Sequence, residues 1–251
     1  MHYSVCLDTV CRDMNAAEAL GCIRSAGLDH YEFWGWWDRD IDALLAAQQA
    51  TGLKPVAMCT RMVPLNDPAR RGEYLDGLRE TAAVCRKLGC TTVITQTGAD
   101  LPDVPHAEQM QSIIDGLIAC IPVLEEHGLT LVFEPLNPKD HPGYSLVFAE
   151  EAFFIAEAVS DPHVKVLYDI YHQHVTGDFH IDDMVSSLGL IGHIHIAGDP
   201  GRHEPLECGM DYPAIMAAIR NAGYQGAAGL EYLPVHDPAE GLRSWAAACG
   251  E

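Results

Sequence analysis

Positive charge is scarce in this chain: 15 lysine and arginine residues face 36 aspartate and glutamate residues, a formal net charge of −21 over 251 residues. DNA, RNA and anionic membrane surfaces are therefore poor partners, because such a surface repels them. No run approaches 18 consecutive apolar residues, so no membrane-spanning helix is expected. The segment Met1-His2-Tyr3-Ser4-Val5 lacks the basic start and long apolar stretch of a secretory signal, and a cytoplasmic location is the expectation. The nine cysteines (Cys6, Cys11, Cys22, Cys59, Cys85, Cys90, Cys120, Cys208 and Cys249) contain no C-x-x-C pair. Their odd number and apolar or helical settings point to reduced core thiols rather than a disulfide or zinc framework. Low-complexity tracts are also missing, and 48% hydrophobic with 20% charged residues is an ordinary globular balance.

What the chain does contain is an alternation of short apolar runs and longer helical patterns, repeated eight times with a period of about 30 residues. The predicted strands are 3–7, 30–33, 54–59, 91–96, 130–134, 165–169, 191–196 and 227–231. Their near-continuous apolar character fits strands covered on both faces, as in a parallel sheet. The predicted helices are 15–26, 41–51, 72–88, 108–127, 148–159, 181–187, 212–222 and 238–248. Gly27, Gly52, Gly89, Gly128 and Gly223 stand where a helix stop needs a left-handed residue, and a strand follows within a few residues of each. Cys6-Leu7-Asp8-Thr9-Val10 follows the first strand where a dinucleotide-binding fold would place G-x-G-x-x-G. Eight βα units with no linker-like break therefore predict the α/β class and a single (β/α)8 TIM barrel over residues 1–251.

In such a barrel the chemistry sits at the carboxyl ends of the strands. The polar residues ending the predicted strands are Glu32, Gln96, Glu134, Asp169, His195 and Glu231. One acid at a strand end commonly caps the next helix. Four successive strands ending in Glu134, Asp169, His195 and Glu231 place three carboxylates and an imidazole around one cavity. Their mutual repulsion calls for a divalent cation. Three oxygen donors and one nitrogen suit Mn²⁺, Mg²⁺ or Co²⁺, and suit Zn²⁺ less well. In Gly192-His193-Ile194-His195 the two imidazoles share a strand face, so His193, one layer deeper, is expected to pack or to orient a ligand. His172 follows Asp169 by three residues and is placed at the mouth rather than in the core. His106, His127, His141, His163, His174, His180 and His236 fall in loops or helix ends, where solvated positions are expected. The turn-rich loop 198–205 would carry Arg202 over the cavity, with an ion pair to Asp199 or Glu204 as its competing structural use. Loop 137–144 and the run Phe33-Trp34-Gly35-Trp36-Trp37 are possible lids, and at least one of these tryptophans is expected to line the pocket or an interface.

Several of these segments resemble the xylose-isomerase-like barrel superfamily, and within it most closely the hydroxypyruvate isomerases. The motifs are Phe133-Glu134-Pro135-Leu136-Asn137 with Pro142-Gly143-Tyr144, Tyr168-Asp169-Ile170-Tyr171-His172, Gly192-His193-Ile194-His195 with Pro200-Gly201-Arg202-His203-Glu204-Pro205, and Leu230-Glu231-Tyr232. The resemblance implies that Glu134, Asp169, His195 and Glu231 hold a divalent metal ion. It implies that Glu134 and Glu231 are also the catalytic proton-transfer groups, and that His172 and Arg202 bind substrate; Gln96 and Trp34 are further substrate-binding candidates. At His195 the hydroxypyruvate isomerases usually carry glutamine, so this ligand is more similar to that of the ketose 3-epimerases. The implied reaction is isomerisation of a small hydroxylated carbonyl acid or sugar, such as hydroxypyruvate or a 2-oxo-tetronate, through an enediolate. The alternatives are a ketose 3-epimerase, a lyase at the same site (decarboxylase of a 3-oxo sugar acid such as 3-oxo-isoapionate, or dehydratase), and a non-catalytic carbohydrate-binding barrel. A homo-oligomer, dimer or tetramer, is implied as well. The superfamily's apurinic-site endonucleases need a basic groove, against which the charge of −21 counts.

Overall fold

The computed structural model describes residues 1–250. Eight parallel strands close into one barrel in sequence order: β1 (His2–Cys6), β2 (His30–Phe33), β3 (Lys54–Cys59), β4 (Thr92–Thr95), β5 (Thr130–Phe133), β6 (Val164–Asp169), β7 (Ile191–Ile196) and β8 (Ala227–Leu230). β8 returns to β1 with Tyr3 opposite Ala228, which removes every free sheet edge. Around the barrel lie α1 (Ala16–Ser25), α2 (Ile41–Thr51), α3 (Arg71–Leu88), α4 (His106–His127), α5 (Ala149–Val159), α6 (Ile170–Thr176), α7 (Ile181–Ser186), α8 (Tyr212–Asn221) and α9 (Pro238–Cys249). The expected barrel is thus the observed one. All five expected helix stops are left-handed, with φ between 62° and 91°. All nine cysteines are free thiols. No helix among the described residues is long and apolar enough to cross a membrane.

One helix was not expected. Asp169, the last residue of β6, is also the N-cap of α6, its Oδ1 accepting from the backbone N–H groups of Tyr171 at 2.7 Å and His172 at 3.2 Å. The segment Ile170-Tyr171-His172-Gln173-His174 has weak intrinsic helix preference, so the cap and the surrounding packing decide its conformation. His172 consequently sits in the first turn of this helix, 1% exposed, with the ring on the wall of the cavity described below.

The barrel interior has two characters. Inside β3 to β6, Ala57, Cys59, Ile94, Val132 and Leu167 form a small apolar cluster. Ser4 of β1, Glu32 of β2, and His193 and His195 of β7 form a buried polar column on the other side. The larger apolar core lies between the sheet and the helices, where buried residues such as Leu20, Leu44, Leu78, Leu117, Ile155, Met216 and Trp245 cover the outside of the strands.

Candidate active site

The ends of β5 to β8 bring four donors together. Glu134, Asp169, His195 and Glu231 each offer one ligand atom, and these atoms all lie within 4.8 Å of one another. All four side chains are buried. His195 Nδ1 is 3.1 Å from Glu231 Oε2 and 3.7 Å from Glu134 Oε1. Asp169 spends Oδ1 on the N-terminus of α6, which leaves Oδ2 for the cluster. Glu134 Oε1, Asp169 Oδ2 and His195 Nδ1 are buried without a hydrogen-bond partner. Buried polar atoms are normally satisfied, and leaving one bare costs about 1–3 kcal/mol. Three such atoms within 4.8 Å of one another fit a cation held by carboxylate oxygens and one imidazole.

Burial and charge set the two glutamates apart. Glu134 is pushed up to about 7, chiefly by burial, with Glu231 and Asp169 adding repulsion and His195 opposing. Burial also works to raise Glu231, but His195 and Arg202 outweigh it and hold this carboxyl well below its ordinary range. For His195, burial favours the neutral ring, yet Glu231 and Glu32 raise it well above its ordinary value. In the metal-free fold the two neighbouring carboxyls thus differ widely in proton affinity, a split of the kind that can serve proton transfer.

Glu32 supports this cluster from below, a role that its position at the end of a strand did not reveal. Its Oε1 lies 2.8 Å from His195 Nε2, while Oε2 lies 2.9 Å from His193 Nε2 and accepts from Ser4 Oγ at 2.6 Å. Burial opposes its charge, but His193 and His195 hold it down at about 2. With Nε2 of His195 facing Glu32, Nδ1 is the nitrogen that faces Glu134 and Glu231. His193, expected to pack or to orient a ligand, instead holds Glu32 from the deeper layer. Room for Glu32 comes from Gly229, opposite His195 on β8, where a Cβ would stand 2.4 Å from Glu32 Oε1. Gly229→Ala is expected to destabilise the fold by about 1–3 kcal/mol through overpacking. That corresponds to a Tm loss of about 2–4 °C per kcal/mol in a thermal scan; an unchanged Tm would mean that Glu32 is not held in place.

Above the cluster opens a cavity of about 280 Å³, near the lower limit for small-molecule sites. Gln96 lines it with Oε1 buried and unpartnered. Trp34 Nε1 donates to Glu231 Oε1 at 2.6 Å. Trp36 faces away, donating to Thr81 Oγ1 at 3.1 Å beneath the Arg61 guanidinium, and Trp37 packs edge-on against it. Arg202, at φ 59°, donates to Glu231 Oε2 and lies 3.5 Å from Asp169 Oδ2. The alternative pairing with Asp199 or Glu204 is not adopted: Glu204 accepts from the backbone of Val235 and His236, and Asp199 faces His174 at 3.8 Å. His172 also lines the cavity, with Nε2 3.6 Å from Asp169 Oδ2, and burial lowers it to about 4, so it is neutral at physiological pH.

His141 departs from the expected solvated position. It is half-buried on the cavity wall with its ring centroid 5.3 Å from that of His172. Loop 137–144 folds back over the mouth because Leu136 N–H donates to Leu146 O and Thr97 N–H donates to Tyr144 Oη. Leu136 and Tyr144, from the singled-out motifs, and Cys59 and Met62, which had no distinguishing pattern in the sequence, complete an apolar wall.

Residues 13–249 match the family described as xylose isomerase-like TIM barrels. The chain is 29% identical over 177 residues to the hydroxypyruvate isomerase of Escherichia coli K12, covering 70% of this chain and 68% of the relative. It is 31% identical over 160 residues to the 2-oxo-tetronate isomerase of Pectobacterium atrosepticum, covering 63% and 60%. The crystal structure of AP endonuclease, family 2, from Brucella melitensis superposes with a TM-score of 0.92 at 25% identity over 98% of both chains. With the eight-stranded barrel and the match spanning nearly its whole length, the chain belongs to the xylose isomerase-like TIM barrel family.

Proposed function

We propose that this protein is a divalent-metal-dependent isomerase of a small hydroxylated keto acid, moving a carbonyl between adjacent carbons of a substrate such as hydroxypyruvate or a 2-oxo-tetronate. The observation that carries the reading is the four-donor cluster of Glu134, Asp169, His195 and Glu231 at the cavity floor. The names of the relatives, a hydroxypyruvate isomerase and a 2-oxo-tetronate isomerase, support it.

Glu134, Asp169, His195 and Glu231 would hold the ion, and Mn²⁺, Mg²⁺ or Co²⁺ suits this donor set better than Zn²⁺. When bound, the ion supplies positive charge beside the substrate oxygens, where an enediolate develops negative charge. Glu231, the ionised carboxylate, removes the proton from the hydroxyl-bearing carbon. Glu134, the carboxyl with the higher proton affinity, delivers a proton to the former carbonyl carbon while the hydroxyl proton passes to the former carbonyl oxygen, so the product has the mass of the substrate. Trp34 fixes Glu231 through its indole N–H. His172 donates a hydrogen bond to a substrate oxygen, and Gln96 Oε1 accepts one from a substrate hydroxyl. Arg202, the guanidinium on the cavity wall among the described residues, pairs with the substrate carboxylate and favours an acid over a neutral ketose.

Turnover of hydroxypyruvate and of four-carbon 2-oxo acids in D₂O, followed by ¹H NMR, tests this reading. A mass-neutral isomer carrying solvent deuterium is expected. Arg202→Ala should raise KM for the acid about 10- to 100-fold, the loss of a charged hydrogen bond. An epimerised ketose, release of CO₂ or loss of water would move the assignment to the epimerase or lyase alternatives, and cleavage of abasic DNA to a nuclease. Carbohydrate binding without turnover would leave a non-catalytic barrel.

A further inference from the structure

We propose that Asn137 is a positioning residue that locks His172 in the neutral tautomer with its proton on Nε2, the nitrogen beside the reaction cavity. The inference rests on the reading above, in which His172 donates to a substrate oxygen.

The backbone N–H of Asn137 can only donate, and it reaches His172 Nδ1 at 3.2 Å. Nδ1 must therefore present its lone pair. The side-chain amide of the same residue meets Nδ1 at 2.6 Å. Its orientation is settled by its other partners, because Oδ1 accepts from the backbone N–H groups of Lys139 at 3.1 Å and Asp140 at 2.9 Å. The amide nitrogen is thus the end that faces the imidazole, and it also donates to Asp140 Oδ2 at 3.0 Å. Asp140 is held in turn by the Tyr171 hydroxyl, which donates at 2.7 Å. Asn137 and His172 are both buried, so water does not compete for these bonds.

Two donors on Nδ1 leave the ring proton on Nε2, which lies 3.6 Å from Asp169 Oδ2. A proton there gives the imidazole a hydrogen bond to offer a substrate oxygen. The opposite tautomer would present a lone pair to that oxygen and repel it. Asn137 follows Glu134 by three residues on the segment leaving β5, so one stretch of chain places a cluster carboxylate and sets the polarity of the imidazole across the cavity.

A charge-conserving exchange tests this. Asn137→Asp combined with Asp140→Asn keeps side-chain volumes, net charge and a hydrogen bond between the two positions, but turns an acceptor toward Nδ1. The exchange is expected to lower kcat about 10²- to 10³-fold, the cost of one misdirected donor at a reacting oxygen, with KM much less affected. Asn137→Ala, which keeps the backbone donor, should lose less. A purely structural Asn137 would reverse that order. A long-range ¹H–¹⁵N spectrum of the wild-type protein supplied with Mg²⁺, with His172 assigned by its absence in His172→Gln, reads the tautomer directly. Protonated Nε2 with bare Nδ1 is expected; protonated Nδ1 or an imidazolium at neutral pH would overturn the inference. That spectrum is independent of turnover, so a correct tautomer in a protein inactive on keto acids would sink the substrate assignment and leave the role of Asn137 standing.

Discussion

Glu231→Gln is expected to lower kcat about 10²- to 10⁴-fold, the range for losing a positioned general base, while circular dichroism and Tm show a folded barrel. The fold should survive because the backbone N–H of residue 231 keeps its bond to Ile196 O at 3.0 Å, and glutamine fills the same space beside Trp34 Nε1. Glu134→Gln should be comparably slow in forming product but should differ in D₂O. If Glu231 removes the proton and Glu134 returns it, Glu134→Gln still exchanges the substrate C–H with solvent, and Glu231→Gln does not. Both variants are assayed at saturating metal with bound ion measured, which separates lost chemistry from lost ligation. Full activity in Glu231→Gln, or equal exchange in the two variants, would contradict the assignment.

Exhaustive chelation is expected to abolish activity, with Mn²⁺, Mg²⁺ or Co²⁺ restoring it. At a free ion concentration near 100 Kd the folded state gains about 2.7 kcal/mol, which for a chain of this size is a rise in Tm of about 5–10 °C. The gain should depend on pH. Glu134 titrates at about 7 in the metal-free fold, chiefly because it is buried. Below that pH a proton on Glu134 must be displaced in addition to the one that Glu231 and Glu32 hold on His195, so affinity falls more steeply with falling pH below about 7 than above it. The metal-free protein follows the opposite slope. A carboxyl raised above its unfolded value stabilises the fold below the unfolded pKa, and that contribution is lost as pH rises toward 7. The difference in Tm with and without metal should therefore widen between pH 5 and 7. Unaltered turnover after verified removal of the ion would refute the metal reading.

Much of this site was legible because a parallel barrel simplifies the problem. Its strands are short apolar runs between glycine stops, and the polar residues near the ends of four successive strands, β5 to β8, meet at one place. Glu134, Asp169, His195 and Glu231 are found by that rule, whereas Glu32, also near a strand end, acts elsewhere. Its role depends on register, with His195 opposite Gly229 across the β7–β8 pair leaving a space that only a side chain from β2 fills. α6 was hidden because its residues have little helical preference of their own and the cap that starts it is also a cluster carboxylate. The position of His141 depends on how loop 137–144 folds back, through hydrogen bonds to residues dozens of positions away. The partner of Arg202 is chosen by the field of the clustered acids, which exists only once four strand ends have met.

The uneven interior of the barrel bears on how the molecule is made. Every residue of the four-donor cluster comes from the second half of the chain, yet the carboxylate beside His195 comes from β2 and its hydroxyl partner from β1. During synthesis these four residues emerge last, and their support waits in strands laid down at the outset. Capture of the proposed ion should therefore be a late event that follows closure of the final strand onto the first, because a chain halted before Gly229 would carry three of the four donors without the β8 strand that closes the barrel beside them.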